Sequence, residues 1–404
     1  MKRNVYKWTE LVNLGPNINS TDPKTWEAQP SISADGNTLY FASARPDCYK
    51  NAQGQLSMDL FYSERQEDGT WGIAKNMGPV INSGGHEKSP FMHSDSRTLY
   101  YAATTNKKRL GAGGYDIFYT QQDAITGKWS KPKNLGYPIN TEGQEEGLIV
   151  SIDGEHAFYS TNKSGGAGMR DIYSFILPHN VRPDAVVLYK GEIKDDKGQP
   201  VTDVEVELTF KDDDGKTQTI KAPSKINQKG QLVAIVNMGK RDAPKDVLLS
   251  VKKDGHSFDS KLFKAKDFLE KKLPPVVKDT KKLEVSELAV GKSYTIDDIL
   301  YQTNSADVTE ESKIILDGFA QYLKNNPTIK IEIQGHTDDI GNDVRNLALS
   351  QDRAFTILEY LSAHGVKASR LKFKGYGEGR PKVPNDSDAN RAKNRRTDFK
   401  IISL

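Results

Sequence analysis

The sequence predicts a multidomain fold: an all-β propeller of four-stranded blades, a small β-sandwich behind it, and a C-terminal α/β domain of βαβαβ type. Three observations predict it. A motif recurs at intervals of 63 and 58 residues across the first 180. Acid-rich turns then separate alternating strands between about Val186 and Leu262. Finally, period-two alternation gives way to helical spacing near residue 340. At 404 residues the chain is too long for one ordinary core.

The repeats occupy residues 1–180. Asn13-Leu14-Gly15-Pro16-Asn17-Ile18-Asn19-Ser20 returns as Asn76-Met77-Gly78-Pro79-Val80-Ile81-Asn82-Ser83 and as Asn134-Leu135-Gly136-Tyr137-Pro138-Ile139-Asn140-Thr141. Each copy leads to a hairpin, at Asp35-Gly36, Asp95-Ser96 or Asp153-Gly154, and then to an aromatic strand. Asp59, Asp116 and Asp171 open a third strand, and Trp8, Trp71 and Trp129 start a fourth. Four short strands per period make a blade that buries its faces only against its neighbours. Three blades are readable, against the four to eight of a closed ring. Earlier blades lie outside this form, or the first strand completes the last blade, or two chains combine. The recurring aspartates suggest hydrogen bonds that fix each repeat rather than a metal ring.

Residues 186–262 follow. Turns at Asp195-Asp196-Lys197-Gly198 and Asp212-Asp213-Asp214-Gly215 flank Val204-Glu205-Val206-Glu207-Leu208, an alternating strand. Further strands are expected at 232–236 and 247–251. A Lys-rich, Pro-interrupted stretch, 263–285, has the composition of a linker.

The C-terminal domain spans 286–404. Ile329-Lys330-Ile331-Glu332-Ile333 alternates as a strand with one buried face, so Asp338 sits just past a strand end. Ala354, Ile357, Leu358 and Leu361 form a helical stripe that Gly365 can terminate. Asn346 and Arg353, seven apart, share a helical face. Two readings follow: Asp338 and Arg353 brace strand to helix by pairing with each other, or together they hold a ligand bearing an ammonium and a carboxylate.

The string Gly335-His336-Thr337-Asp338-Asp339-Ile340-Gly341, with Asn346, Leu349-Ser350 and Arg353, resembles the OmpA-like peptidoglycan-binding domain over about Leu283 to Leu404. That family's pattern has a Thr-Asp pair, an Asn eight residues after the Asp, a Leu-Ser dipeptide and an Arg fifteen after it. The resemblance implies that Asp338 takes the ammonium, and Arg353 the carboxylate, of diaminopimelate in a peptidoglycan stem peptide, with Thr337 and Asn346 in the same motif. It also implies a ligand-side role for Asn304, whose alternative is turn chemistry, and makes Arg395 a second arginine for the peptide's carboxylates. Asn390 departs from the family, which has Gly there. The repeats resemble TolB-type (WD-like) propeller repeats of Bacteroidetes-like envelope proteins, some of them components of type IX secretion. Residues 186–262 resemble the carboxypeptidase regulatory-like domain.

Composition narrows the function. Lys plus Arg total 57 against 54 for Asp plus Glu, a net charge of +3 that gives no case for nucleic acid or an anionic membrane as partner. No apolar run reaches the roughly 20 residues of a membrane span. The single Cys48 excludes an internal disulfide. An export signal is not readable at the start, so it is expected outside the chain. Neither histidine spacing nor a nucleophile motif supports catalysis, and the loops Gly111-Ala112-Gly113-Gly114 and Gly165-Gly166-Ala167-Gly168 are turns rather than phosphate cradles. No cofactor or metal is expected. The expectation is a non-enzymatic periplasmic anchor, associated with outer membrane and peptidoglycan, whose propeller docks an envelope protein of the type IX secretion or gliding kind. The alternative is a propeller-based hydrolase of wall or glycan material.

Overall fold

Each predicted hairpin of the repeats turns at a residue with a left-handed backbone: Gly36 at φ 76°, Ser96 at 55° and Gly154 at 65°. Around these turns the computed structural model, which describes residues 10–106, 109–279, 282–302 and 305–404, builds one compact unit, Met1–Pro183, distinct from a second, Asp184–Leu404.

In the first unit β1 (Glu27–Ile32), β2 (Thr38–Ser43), β3 (Asp59–Glu64) and β4 (Lys75–Asn76) form one sheet in that order. A second holds β5 (Glu87–Met92), β6 (Thr98–Thr104), β7 (Tyr115–Gln121) and β8 (Lys133–Asn134). The third has three strands, β9 (Glu145–Val150), β10 (His156–Thr161) and β11 (Asp171–Ile176). Strand alternation gives the middle sheet two apolar faces. Leu99, Tyr101 and Phe118 pack with Tyr40, Ala42 and Leu60 of the first sheet; Tyr100, Ala102 and Ile117 pack with Leu148, Ala157 and Tyr159 of the third.

The expected β-propeller is not formed. Among the described residues no sheet is closed or curled; the repeats make three separate open sheets. Three repeats are too few to bring the last against the first. The docking and hydrolase expectations that relied on a propeller lose that basis. Trp8 lies outside the described residues.

The second unit begins with two facing sheets. One contains β12 (Ala185–Lys194) and, in order of sequence, β15 (Ser224–Ile226) and β16 (Gln231–Gly239); the other contains β13 (Glu205–Lys211), β14 (Thr217–Lys221), β17 (Val247–Lys252) and β18 (Asp259–Phe263). Val187, Tyr189 and Val236 from the first meet Val206, Leu249 and Phe263 from the second in a shared core. The Lys-rich stretch 263–285 carries a short helix α1 (Ala265–Leu269) and two short strands, β19 (Val276–Lys278) and β20 (Leu283–Glu284), that pair in parallel with β12.

The C-terminal domain follows as β21 (Ser293–Ile296), α2 (Glu310–Asn325), β22 (Lys330–Gly335), α3 (Asp343–Ala363), β23 (Leu371–Gly375), α4 (Asp388–Asn394) and β24 (Thr397–Ser403). Its sheet order is β21-β24-β22-β23, with β22 and β23 parallel and β24 antiparallel to β22. Ile329, Ile331 and Ile333 are buried beneath the helices, as their alternation requires. Thr309 caps α2 and Asn342 caps α3 with side-chain oxygens. α3 stops at Gly365, φ 92°, where the Gly365 and Val366 amides donate back to Ser362 and Leu361. The sandwich and this domain share a core: Leu248 and Phe258 join its apolar cluster, and Phe258 meets Phe319 at 5.4 Å between ring centroids. Gly318 on α2 lets Leu248 approach, since a Cβ there would lie 2.5 Å from a Leu248 methyl.

Candidate functional site

Parallel pairing of β22 with β23 ends at Gly335 opposite Gly375, and the chain leaving β22 there runs straight into the loop that holds Asp338. Neither glycine tolerates a side chain, because a Cβ would strike the α3 backbone at Ser350 (2.2 Å) or Gln351 (2.4 Å). This close approach of helix to sheet carries α3 over the strand end. The loop is pinned next: the Thr337 amide donates to Gly377 (3.0 Å) and the His336 amide to Arg396 (3.1 Å).

Asp338 is buried. Its Oδ1 accepts from the Ile340 amide at 3.2 Å, and its Oδ2 accepts from Arg395 Nη1 at 2.5 Å. Arg395 follows the last residue of α4, with 48% of its side chain exposed. The carboxylate is therefore neutralised from the solvent side.

Arg353 takes a different partner from the one its spacing suggests. Among the described residues no ion pair joins it to Asp338. Its Nε donates to the Ser305 carbonyl at 3.2 Å, and its guanidinium lies 4.5 Å from the centre of the Tyr301 ring. Burial draws the guanidinium below its usual pKa; Tyr301 and Asp338 oppose that, and Arg395 adds to it, so all these charges sense one another. Tyr301 in turn shares a hydrogen bond with Thr397 (3.0 Å), and burial pushes its hydroxyl up to about 12. The Asp338 carboxylate and the guanidiniums of Arg353 and Arg395 thus meet at one loop-and-helix junction.

The other predicted residues have varied surroundings. Asn346 spends its amide inside the protein, donating to Glu378 (2.7 Å) and to the carbonyls of Asp338 and Ile340 (both 3.3 Å). It shapes the Asp338 loop. The Thr337 hydroxyl is buried without a hydrogen-bond partner among the described residues. Asn304 lies outside the described residues. Asn390 sits in the first turn of α4, capped by Ser387, and has no positive φ, so the glycine expected there is not needed. Arg396 turns away from the site to Asp398 (2.9 Å), beside His336, whose ring stacks on Tyr376.

Sequence reasoning missed Tyr301 and Glu378 as parts of the site. Tyr301 was visible as an aromatic next to a turn, but nothing in its spacing points at Arg353. The recurring aspartates of the repeats prove to be hydrogen-bond hubs: Asp59 accepts from Asn76 (2.7 Å) and Asp116 from Asn134 (3.1 Å). Asp153, Glu155 and His156 bring ligand-capable atoms within 4.8 Å of one another. Turn hydrogen bonds from Ser151 and the Glu155 amide to Asp153 account for that cluster.

Comparison with known proteins bears on this domain. The model of the OmpA family matches residues 300–395. The peptidoglycan-associated lipoprotein of Pasteurella multocida is 34% identical over 110 residues, 26% of this chain and 73% of the relative. That of Haemophilus influenzae is 41% identical over 90 residues, 22% of this chain and 59% of the relative. Outer membrane porin F of Pseudomonas fluorescens is 36% identical over 104 residues, 26% of this chain. The chain spans only 32% of that porin's length.

Proposed function

Because the chain belongs to the OmpA family through its C-terminal domain, we propose that it is a non-enzymatic anchor that binds peptidoglycan in the periplasm, associated with the outer membrane. In this reading Asp338 receives the ammonium of a diaminopimelate stem peptide, Arg353 receives the neighbouring carboxylate, and Arg395 moves from Asp338 to a further carboxylate. Asn346 and Thr337 hold the loop in shape. The resemblance adds Asn304 to this set.

The observation that carries the proposal is that, among the described residues, Asp338 and Arg353 do not pair with each other. A purely structural acid–base pair would be closed on itself. Here the acid is held by a half-exposed arginine that a ligand ammonium can replace, while Arg353 rests on an aromatic ring and spends only its Nε on a hydrogen bond among the described residues. Two charge-assisted contacts at about 1.5–3 kcal/mol each give binding from roughly several millimolar to tens of micromolar. Repetition of the peptide along the wall makes such affinity effective by rebinding.

No helix among the described residues is long and apolar enough to cross a membrane. The N-terminal unit supplies the protein-binding part of the anchor. Type IX secretion stays a resemblance of the repeats, and nothing in the matched relatives bears on it. The test is co-sedimentation with purified peptidoglycan. Asp338→Ala and Arg353→Ala each lower it by at least about 10-fold while the domain stays folded; undiminished binding by both variants would remove the site assignment.

A further inference from the structure

The third sheet of the N-terminal unit lacks what the first two have. Repeat alignment sets Ile172 at the position of Leu60 and Ile117, and Phe158 at that of Tyr40 and Tyr100. Leu60 and Ile117 are 0% exposed, yet Ile172 is 81% exposed and Phe158 42%. Ile149, opposite Phe158, and Ile176, two pairs along from it on the same face, are exposed as well. In sheets one and two this face is covered by the next sheet; in sheet three it is open.

The edge is open too. β3 receives β4, and β7 receives β8, but among the described residues β11 has no fourth strand. In the completed sheets the repeated motif acts as a clamp. Asn82 brackets Leu60, accepting from its amide (2.8 Å) and donating to its carbonyl (2.9 Å), and Asn140 does the same to Ile117 at the same distances. Asn76 and Asn134 reach Asp59 and Asp116 beside them. Asp171-Ile172 on β11 is the same receptor without its clamp.

Among the described residues there is also a clamp without a receptor. Asn13 Oδ1 accepts from the Gly15 amide (2.8 Å) and Asn19 Nδ2 (2.9 Å). Asn76 does so from Gly78 (2.8 Å) and Asn82 (2.7 Å), and Gly15 and Gly78 share a φ near 80° (79° and 81°). The motif is thus preformed, while Leu11 and Val12 ahead of it are exposed and pair with no strand among the described residues. It is fastened to the first sheet, through Asn17 to Trp71 and Ala74 and through Ile18 packed on Phe41 and Phe61. The second sheet lies between it and the third. It does not reach its own β11.

We propose that β11 and the apolar face beside it dock residues 10–19 of a second copy of this chain, which adds the missing strand, with Asn19 bracketing Ile172 and Asn13 reaching Asp171. The contact is heterologous, head to tail. It rests on the reading that the N-terminal unit binds protein and names the partner; peptidoglycan binding is independent of it. The test is sedimentation of the full chain at about 100 µM, where even weak association is populated. The wild type sediments above the 45.0 kDa of one chain. Ile172→Asp, with a spoiled receptor, and Asn13→Ala/Asn19→Ala, with a spoiled clamp, are each monomeric alone. Mixed together they form dimers, since one good receptor and one good clamp remain. A monomeric wild type overturns the proposal, as does association unchanged in either variant or absent from the mixture. Retained peptidoglycan co-sedimentation in every sample separates such a failure from a failure of the anchor reading.

Discussion

Arg395 and Arg396 are neighbours in sequence, and each binds one buried aspartate of the same domain, yet the two pairs differ in kind. Arg396 is nearly enclosed: it holds Asp398 at 2.9 Å, next to His336, and its Nη1 is buried without a partner among the described residues. Arg395 is half in water and holds Asp338 from outside. The chemistry is identical and the accessibility is not. A closed pair fixes the fold, whereas an open one can exchange its arginine for another cation. That difference, more than the presence of an acid and a base, marks where a ligand can enter.

Breaking the closed pair has the largest expected effect. Asp398→Ala strands a buried guanidinium and costs about 3–5 kcal/mol of stability, read by chemical denaturation. Removing an open-site group acts on binding instead. Arg353→Ala weakens association with stem peptide by roughly 10- to 150-fold, the equivalent of about 1.5–3 kcal/mol, with little change in the unfolding midpoint; titration calorimetry measures it. Arg395→Ala is milder still in stability, within about 1 kcal/mol, because the pair is solvent-screened.

Acid sharpens the contrast. Burial raises the Asp398 pKa, but the His336 ring, 3.4 Å away, and the Arg396 guanidinium outweigh it and hold the group below its usual value. Its folded pKa is depressed, so its contribution is present above the unfolded value of about 3.9 and is lost as pH falls through the folded value. Denaturation profiles below about pH 4 should steepen for the wild type and flatten for Asp398→Asn. An Asp398→Asn protein with the wild-type acid profile would contradict this assignment.

Much of the C-terminal domain was legible because its signals are local. The isoleucine alternation of 329–333 gave a strand, and Gly365 marked the end of α3, since both depend on near neighbours. The partner of Asp338 was not legible: Arg395 stands 57 residues away and is brought in by β24 and α4, which no spacing rule sees. Nor was the ring beneath Arg353, supplied by Tyr301 before α2. The repeats were legible one by one, but closing them into a propeller depends on how many stack, not on what each contains. In the 263–285 stretch, charged residues on the exposed positions, Lys278 and Glu284, hid β19 and β20, whose pairing with β12 is a long-range event.

The account turns on Asp338 and Arg353 gripping one ligand from two sides. NMR titration of the protein with free diaminopimelate, following the Arg353 and Arg395 side-chain Nε–H signals and the Ile340 amide, tests it most directly. The account predicts that all three move together with saturation, and that Asp338→Ala removes the response. Signals that stay fixed at saturating diaminopimelate would contradict it.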